Sequence, residues 1–200
     1  MIGVNQTYSL VQAAALSNTI GQDQRKIFEQ FWAHSAEVAE LAAMIAQDQV
    51  AVCNVFPDQA YMAGLFHQCG VPVLMLRFPE YCHRLDPDDP RFRLSLAEED
   101  AKFNVDHIIV AYLVARHWGL PDFVCEAIRY QHELPDDASA SAISLLSILQ
   151  LAVQVQLHLH LLENPCWDAL GERVLEEVGI APHDFDDYLD DLSQRFRHVA

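Results

Sequence analysis

Basic residues are scarce in this 200-residue sequence, which has 12 Lys and Arg against 29 Asp and Glu and a formal net charge of −17. Binding to nucleic-acid phosphates or to an anionic membrane requires clustered Lys and Arg. The composition therefore excludes a broad basic binding face, and we expect neither a nucleic-acid partner nor a membrane partner. The large negative charge instead predicts a well solvated surface.

The cysteines lack the spacings that mark metal-binding or redox motifs. No two of them are separated by two residues, which excludes a zinc ribbon and a thioredoxin-like site. An odd number at scattered positions is typical of reduced thiols, so we expect a cytoplasmic protein. The five cysteines are Cys53, Cys69, Cys82, Cys125 and Cys166.

Several other signatures are absent. The sequence has no charged N-region followed by an apolar signal segment. Its longest apolar stretch, residues 144–162, is interrupted by glutamines and histidines, which disfavours a membrane span. It also contains no G-x-S-x-G nucleophile motif, no Walker loop and no dinucleotide-binding fingerprint.

Helical periodicity, by contrast, runs through most of the sequence. Between residues 27 and 46, a buried stripe recurs at steps of three and four residues, formed by Phe31, His34, Val38, Leu41 and Ile45. Small residues at Ala60, Ala63 and Gly64 would let a neighbouring helix approach closely. We therefore predict an all-α protein, folded as a compact multi-helix bundle.

One passage conflicts with the helical pattern. Residues 153–161, VQVQLHLHL, alternate strictly, which is the pattern of a strand. Because the preceding ISLLSILQLA is apolar without alternation and no second strand is evident, we predict one long helix over residues 141–163. The segment RLDPDDPRFR predicts a loop. We expect a helical domain over residues 1–163 and a C-terminal helical extension over residues 164–200 that packs on it.

Four histidines fall at positions where the pattern predicts burial. His34, His107 and His132 lie on the apolar stripes of three predicted helices, and His67 ends a fourth. A buried imidazole costs free energy unless it has polar partners. Any one of them is explained by an ordinary core histidine, but the four together favour a shared pocket that would supply those partners.

Three segments carry a family resemblance: FWAHSAEVAELAAMIA, AYMAGLFHQCGVPVLMLRFPEY and DHIIVAYLVARHWGLPDFVCEAIRYQHE. In order and spacing they resemble the HDOD domain, a bacterial branch of the HD phosphohydrolase superfamily related to HD-GYP domains. The resemblance implies an HD-superfamily-like bundle and a role as an output or interaction module with protein partners in bacterial signalling. In HDOD proteins a further helical part normally precedes this segment. Its loss would uncover an apolar surface, so we expect self-association through residues near the N-terminus, namely Tyr8, Leu10, Val11 and Leu16.

The resemblance also assigns a metal site to the four histidines. Catalytic HD enzymes bind a divalent metal through a His, a His-Asp pair and a later Asp, and the related phosphodiesterases add further ligands. The imidazoles of that set correspond to His34, His67, His107 and His132. The acidic ligands do not correspond, because Gln68 replaces the Asp of the pair, Val153 lies near the late Asp, and Gln30 replaces a Glu. The phosphodiesterases also have a later His-His pair, and Gln131 replaces its first histidine.

These replacements point away from hydrolysis, because hard divalent ions favour anionic oxygen ligands. Rescue by Asp106, Glu126 or Glu133 is disfavoured, since neighbours of a stripe residue point about 100° away on a helix. His158 and His160 do not share a helix face, which makes a shared metal between them improbable. We predict a non-catalytic signalling or scaffold domain with a degenerate metal site. We expect no cofactor, although the resemblance allows a divalent metal. The alternatives are a metal-dependent phosphohydrolase or phosphodiesterase with divergent ligands, and a small-molecule sensor.

Overall fold

The computed structural model describes residues 22–82 and 95–199. Within these ranges the chain forms α-helices, one 3-10 turn (Pro182–Asp184) and no strand, which confirms the predicted all-α class. The helices are α1 (Gln22–Asp48), α2 (Val50–Cys53), α3 (Pro57–Phe66), α4 (Gly70–Arg77), α5 (Pro79–Cys82), α6 (Leu96–Phe103), α7 (His107–His117), α8 (Asp122–Arg129), α9 (Ala140–Leu159), α10 (Trp167–Val178) and α11 (Phe185–Val199). The predicted loop RLDPDDPRFR and the N-terminal residues expected to self-associate lie outside the described residues.

Helices α1 and α3 pack closely because α3 carries small residues on the facing side. Ala60, Ala63 and Gly64 are fully or almost fully buried. A Cβ added to Gly64 would lie 2.6 Å from the Cα of Ala39 in α1, closer than real Cβ contacts come. The predicted stripe of α1 faces the same core, with Val38, Leu41 and Ile45 all buried. This close crossing fixes His67, just after α3, relative to His34 on α1.

Helix α9 is the central helix of the bundle. It continues through the alternating segment to Leu159, so the prediction of a helix rather than a strand is confirmed. Among the described helices it is the one long and apolar enough to cross a membrane, but 72% of its most apolar window is buried inside the protein. It contacts α1, α3, α8 and α10. The apolar composition of α9 is therefore explained by its place in the core.

Helices α6 and α7 begin with side-chain caps, whereas α8 ends before a histidine that was predicted to lie on it. The Oγ of Ser95 accepts a hydrogen bond from the backbone N–H of Glu98 at the start of α6, and the Asp106 carboxylate accepts one at the start of α7. Helix α8 ends at Arg129, so the prediction that His132 lies on this helix is wrong. The Gln131 side chain donates to the carbonyl of Ile128 at 3.2 Å and so satisfies a terminal carbonyl of α8 in place of a further helical turn.

The C-terminal helices belong to the same hydrophobic core. Val174 and Val178 of α10 and Leu192 of α11 are fully buried in the cluster that also contains residues of α1, α3 and α9. Gly179 adopts a left-handed conformation with φ of 75° and ends α10. Helices α10 and α11 thus pack on the preceding helices, while the division into a domain over residues 1–163 and an extension over residues 164–200 stays a prediction.

Candidate functional site

A cavity of about 590 Å³ opens between α1, the end of α3, the α8–α9 turn region and α9. Its polar lining consists mainly of imidazoles, from His34, His67 and His132, and of amides, from Gln68, Gln131, Gln150, Gln156 and Asn164. Among the described lining residues Glu98 is the only carboxylate, and its Oε2 accepts hydrogen bonds from the backbone N–H and the hydroxyl of Ser95, at 3.2 and 2.8 Å. The polar part of the described cavity wall is thus nearly free of fixed charge, and the rest of the wall is apolar.

Both the ring and the backbone of His67 form hydrogen bonds. Its Nδ1 lies 2.6 Å from the carbonyl oxygen of Gly64. Because a carbonyl only accepts, Nδ1 carries a proton and donates. The backbone carbonyl of His67 accepts a 2.7 Å hydrogen bond from the buried amide of Gln131. The residue that follows α3 is therefore tied to the turn that follows α8.

His107 lies behind the cavity in a buried hydrogen-bonded cluster with Glu99 and Tyr81. The Oε2 of Glu99 accepts from both the backbone N–H and the ring Nδ1 of His107, at 2.8 and 2.7 Å, and its Oε1 accepts from the Tyr81 hydroxyl. All three side chains are fully buried. Burial raises the pKa of Glu99, but the contacts with His107 and Tyr81 outweigh it and lower the pKa below its ordinary value. The carboxylate is therefore ionised at neutral pH.

A second cluster, which we call the rim triad, consists of His34, Glu37 and His160. The Oε2 of Glu37 lies 2.9 Å from His160 Nε2 and 3.7 Å from His34 Nδ1. Gln156 donates from Nε2 to the same carboxylate oxygen at 3.0 Å. Burial raises the pKa of Glu37, but its contacts with His34, His160 and Gln156 outweigh that effect and lower the pKa to about 2. The triad joins α1 to the C-terminal end of α9.

The eight residues predicted for the site fall into three groups. Six of them line the cavity: His34, His67, Gln68, Gln131, His132 and Val153. His107 is fully buried, with its ring centroid 6.3 Å from that of His132. Gln30 lies one turn before His34 on α1 and is not among the described lining residues. The structure therefore brings most of the predicted residues to one cavity.

Among the described residues, the lining of the cavity includes few of the anionic oxygens that divalent cations favour. His67 and His107 each donate from Nδ1 to an oxygen, which is how metal-bound histidines are usually oriented. However, within residues 22–82 and 95–199 the one group of three His, Cys, Asp or Glu ligand atoms that lie within 4.8 Å of one another is the rim triad. Of the described cavity histidines, His34 belongs to that triad through Glu37, whereas His67 and His132 belong to no such group.

Sequence reasoning did not identify Glu37, Glu99 or His160. Glu37 and Glu99 could have been identified from the sequence. Glu37 is three residues after His34 on the same helix face. Glu99 lies between Leu96 and Phe103 on the apolar stripe of α6. A carboxylate on an apolar stripe indicates a buried acid. His160 left no such signal, since it meets α1 through a contact between residues 123 positions apart.

Comparison with known proteins places this arrangement in a family. The HDOD domain family matches residues 1–134, about two thirds of the chain. The chain belongs to the HDOD domain family. The matched range contains the four predicted histidines but ends before Val153 and His160. The HDOD assignment and the all-α bundle together establish an HD-like fold.

Individual relatives are more distant. An uncharacterized protein of Treponema pallidum (strain Nichols) is 27% identical over 139 residues, which are 66% of this chain and 24% of that protein. A candidate signal transduction protein from Marinobacter aquaeolei VT8 has a TM-score of 0.62 at 22% identity, over 84% of this chain and 37% of that one. A candidate phosphohydrolase from Shewanella amazonensis SB2B has a TM-score of 0.58 at 16% identity, over 98% and 69%. The chain thus spans about a quarter of the T. pallidum relative, and the two solved structures share its fold.

Proposed function

We propose that this HDOD chain is a non-catalytic signalling or scaffold module whose cavity is a degenerate HD metal site. The observation that supports this proposal is the chemistry of the cavity wall, where the described residues supply several amides and imidazoles and a single carboxylate, that of Glu98. Metal-dependent hydrolysis needs a cation that lowers the pKa of bound water to about 7. Carboxylate ligands commonly complete such sites.

The amides of the cavity also have a structural use that does not depend on metal. Gln131 joins the turn after α8 to the end of α3, and Gln156 donates to the carbonyl of His34 at 2.9 Å, joining α9 to α1. A buried polar network of this kind fixes the arrangement of helices when its members are satisfied. A module that presents a fixed surface to a partner needs this rigidity and needs no turnover.

The second candidate function is a metal-dependent phosphohydrolase with divergent ligands. It is favoured by the orientation of His67 and His107, whose Nδ1 atoms donate to oxygen as in metal-bound histidines. The chain also shares its fold with a candidate phosphohydrolase. Against it stands the described lining of the cavity, whose one carboxylate, that of Glu98, accepts hydrogen bonds from Ser95.

Hydrolysis of bis-p-nitrophenyl phosphate separates the two functions. The purified protein is assayed with Mg²⁺, Mn²⁺, Ni²⁺, Fe²⁺ or Zn²⁺, beside the variants His67→Ala and His158→Ala, the latter being an exposed histidine outside the cavity. We expect no turnover above that of His67→Ala with any metal. Saturable, metal-dependent turnover that His67→Ala abolishes and His158→Ala retains would refute the proposal.

The partners of the module are proposed on chemical grounds as well. The net charge of −17 is unsuited to nucleic acid or anionic lipid, so we propose protein partners in bacterial signalling and a cytoplasmic location. Self-association through the N-terminal residues remains a prediction. Light scattering tests it, since a monodisperse monomer over a range of concentrations would contradict it.

A further inference from the structure

We propose that the rim triad of His34, Glu37 and His160 is a zinc-binding site, which goes beyond the proposed function of the module. The three ligand atoms lie within 4.8 Å of one another. They come from two helices that are far apart in sequence, with His160 contributed by the end of α9, beyond the residues that match the HDOD family. The site therefore differs from the histidine set of the cavity, with which it shares only His34.

The donor set suits zinc in kind. Two imidazole nitrogens and one carboxylate oxygen are ligands that Zn²⁺ binds, and sites with three protein ligands leave a fourth position for water or a small anion. Bonds of about 2.0 to 2.1 Å in a tetrahedral arrangement separate neighbouring ligand atoms by about 3.3 Å. The observed separations from Glu37 Oε2 are 2.9 Å to His160 Nε2 and 3.7 Å to His34 Nδ1, on either side of that value. All three ligand atoms lie within 4.8 Å of one another, so binding of the ion would require only local shifts of these side chains.

The outer partners of the triad also suit a metal site. Gln156 lies one turn before His160 on α9 and donates both to the Glu37 carboxylate, at 3.0 Å, and to the backbone carbonyl of His34, at 2.9 Å. Metal-binding carboxylates are usually oriented by such second hydrogen bonds. One amide therefore positions two of the three ligand residues before any ion binds.

The side chains of the rim triad are partly exposed to solvent. The side chains of His34, Glu37 and His160 are 20%, 33% and 36% exposed, so the ion would be reached from solvent at the rim of the cavity. A half-exposed ion bridging α1 and the end of α9 stabilises the attachment of these helices. Its open position takes a water molecule or a small anion.

Zinc titration of the metal-free protein tests the site. Affinity is measured by competition with a zinc chelator for the wild type and for Glu37→Gln, His160→Ala and Gln156→Ala. His158→Ala is a matched control on the same helix. We expect one equivalent of zinc in the wild type and in His158→Ala. Affinity should fall at least about a hundredfold in Glu37→Gln and His160→Ala, and about 10–100-fold in Gln156→Ala, the range for outer partners of metal ligands.

Thermal unfolding gives a second readout that does not depend on activity. At free zinc a hundredfold above its dissociation constant, the melting temperature of the wild type should rise by roughly 5–10 °C. The variants should melt cooperatively without zinc, which shows that they fold, and should lose most of this shift. Zinc binding that is absent from the wild type, or equally tight in Glu37→Gln and His160→Ala, would overturn the site. Failure of this site is read from zinc affinity and melting temperature, and failure of the proposed function from phosphodiester turnover, so the two are distinguishable.

Discussion

Replacement of Glu99 by alanine should strongly destabilise the protein. The carboxylate accepts three hydrogen bonds, from the backbone N–H of His107, from its ring Nδ1 and from the Tyr81 hydroxyl, with all three residues fully buried. Loss of a hydrogen bond to a buried charged group costs about 1–3 kcal/mol, so removal of a carboxylate that accepts three of them should cost at least about 3 kcal/mol. We expect Glu99→Ala to lower the free energy of unfolding by about that amount, a large part of the 5–15 kcal/mol of an ordinary domain.

Urea unfolding followed by circular dichroism measures this loss. Glu98→Ala is the matched control, since the neighbouring Glu98 is exposed and belongs to the cap of α6, and it should cost no more than about 1 kcal/mol. Glu99→Gln keeps one acceptor oxygen and should fall between the two variants. A loss for Glu99→Ala no greater than that of Glu98→Ala would refute the reasoning.

The loss of unfolding free energy in Glu99→Ala should depend on pH. The pKa of Glu99 is lowered by the contacts with His107 and Tyr81, although burial alone would raise it. Stability from this carboxylate is therefore present above the unfolded carboxyl pKa and is lost as the pH falls through the lower folded value. The difference in unfolding free energy between wild type and Glu99→Ala should narrow on acidification. A difference that widens would contradict the lowered pKa.

Three further predictions follow from the packing. Gly64→Ala should cost about 1–3 kcal/mol in urea unfolding, because its Cβ would clash with the backbone of α1, and a wild-type midpoint would contradict that close approach. A thiol reagent should label the partly exposed Cys166 in the native protein but reach Cys69 only on unfolding, since Cys69 is fully buried and burial raises its thiol pKa; labelling of Cys69 at the same rate would show the core to be open. The double variant Gln68→Asp, Val153→Asp should gain affinity for Mn²⁺ over either single variant, because both positions line the cavity, and no gain would mean that they do not converge on one ion.

Much of the fold could be predicted from the sequence because its signals are local. The step of three and four residues on α1, the small residues of α3 and the caps at Ser95 and Asp106 all act within one or two helical turns. The alternating segment was resolved by its flank, since a strand without a partner strand leaves its backbone groups unpaired. The helix that was predicted to carry His132 ended early because the Gln131 side chain takes the place of a further helical turn, and side-chain competition of this kind has no clear periodic signature.

The candidate site was only partly predictable because its polar contacts are long-range. Six predicted residues line one cavity, but the acids with buried or half-buried roles, Glu37 and Glu99, were assigned to no site. Each lies on a stripe position of its own helix, which is a readable signal. The pairing of Glu37 with His160 depends on how α9 crosses α1, and no local pattern encodes that crossing. The sequence thus favours a set of buried histidines more clearly than it identifies their charged partners.

We propose that the cavity has lost the negative charge needed to hold a divalent cation. Anomalous X-ray diffraction at the zinc absorption edge, on crystals of the protein equilibrated with Zn²⁺, locates bound ions directly. The account predicts a peak at the rim triad, between His34, Glu37 and His160, and none inside the cavity. A peak within the cavity, coordinated by His67 together with His107 or His132, would contradict it.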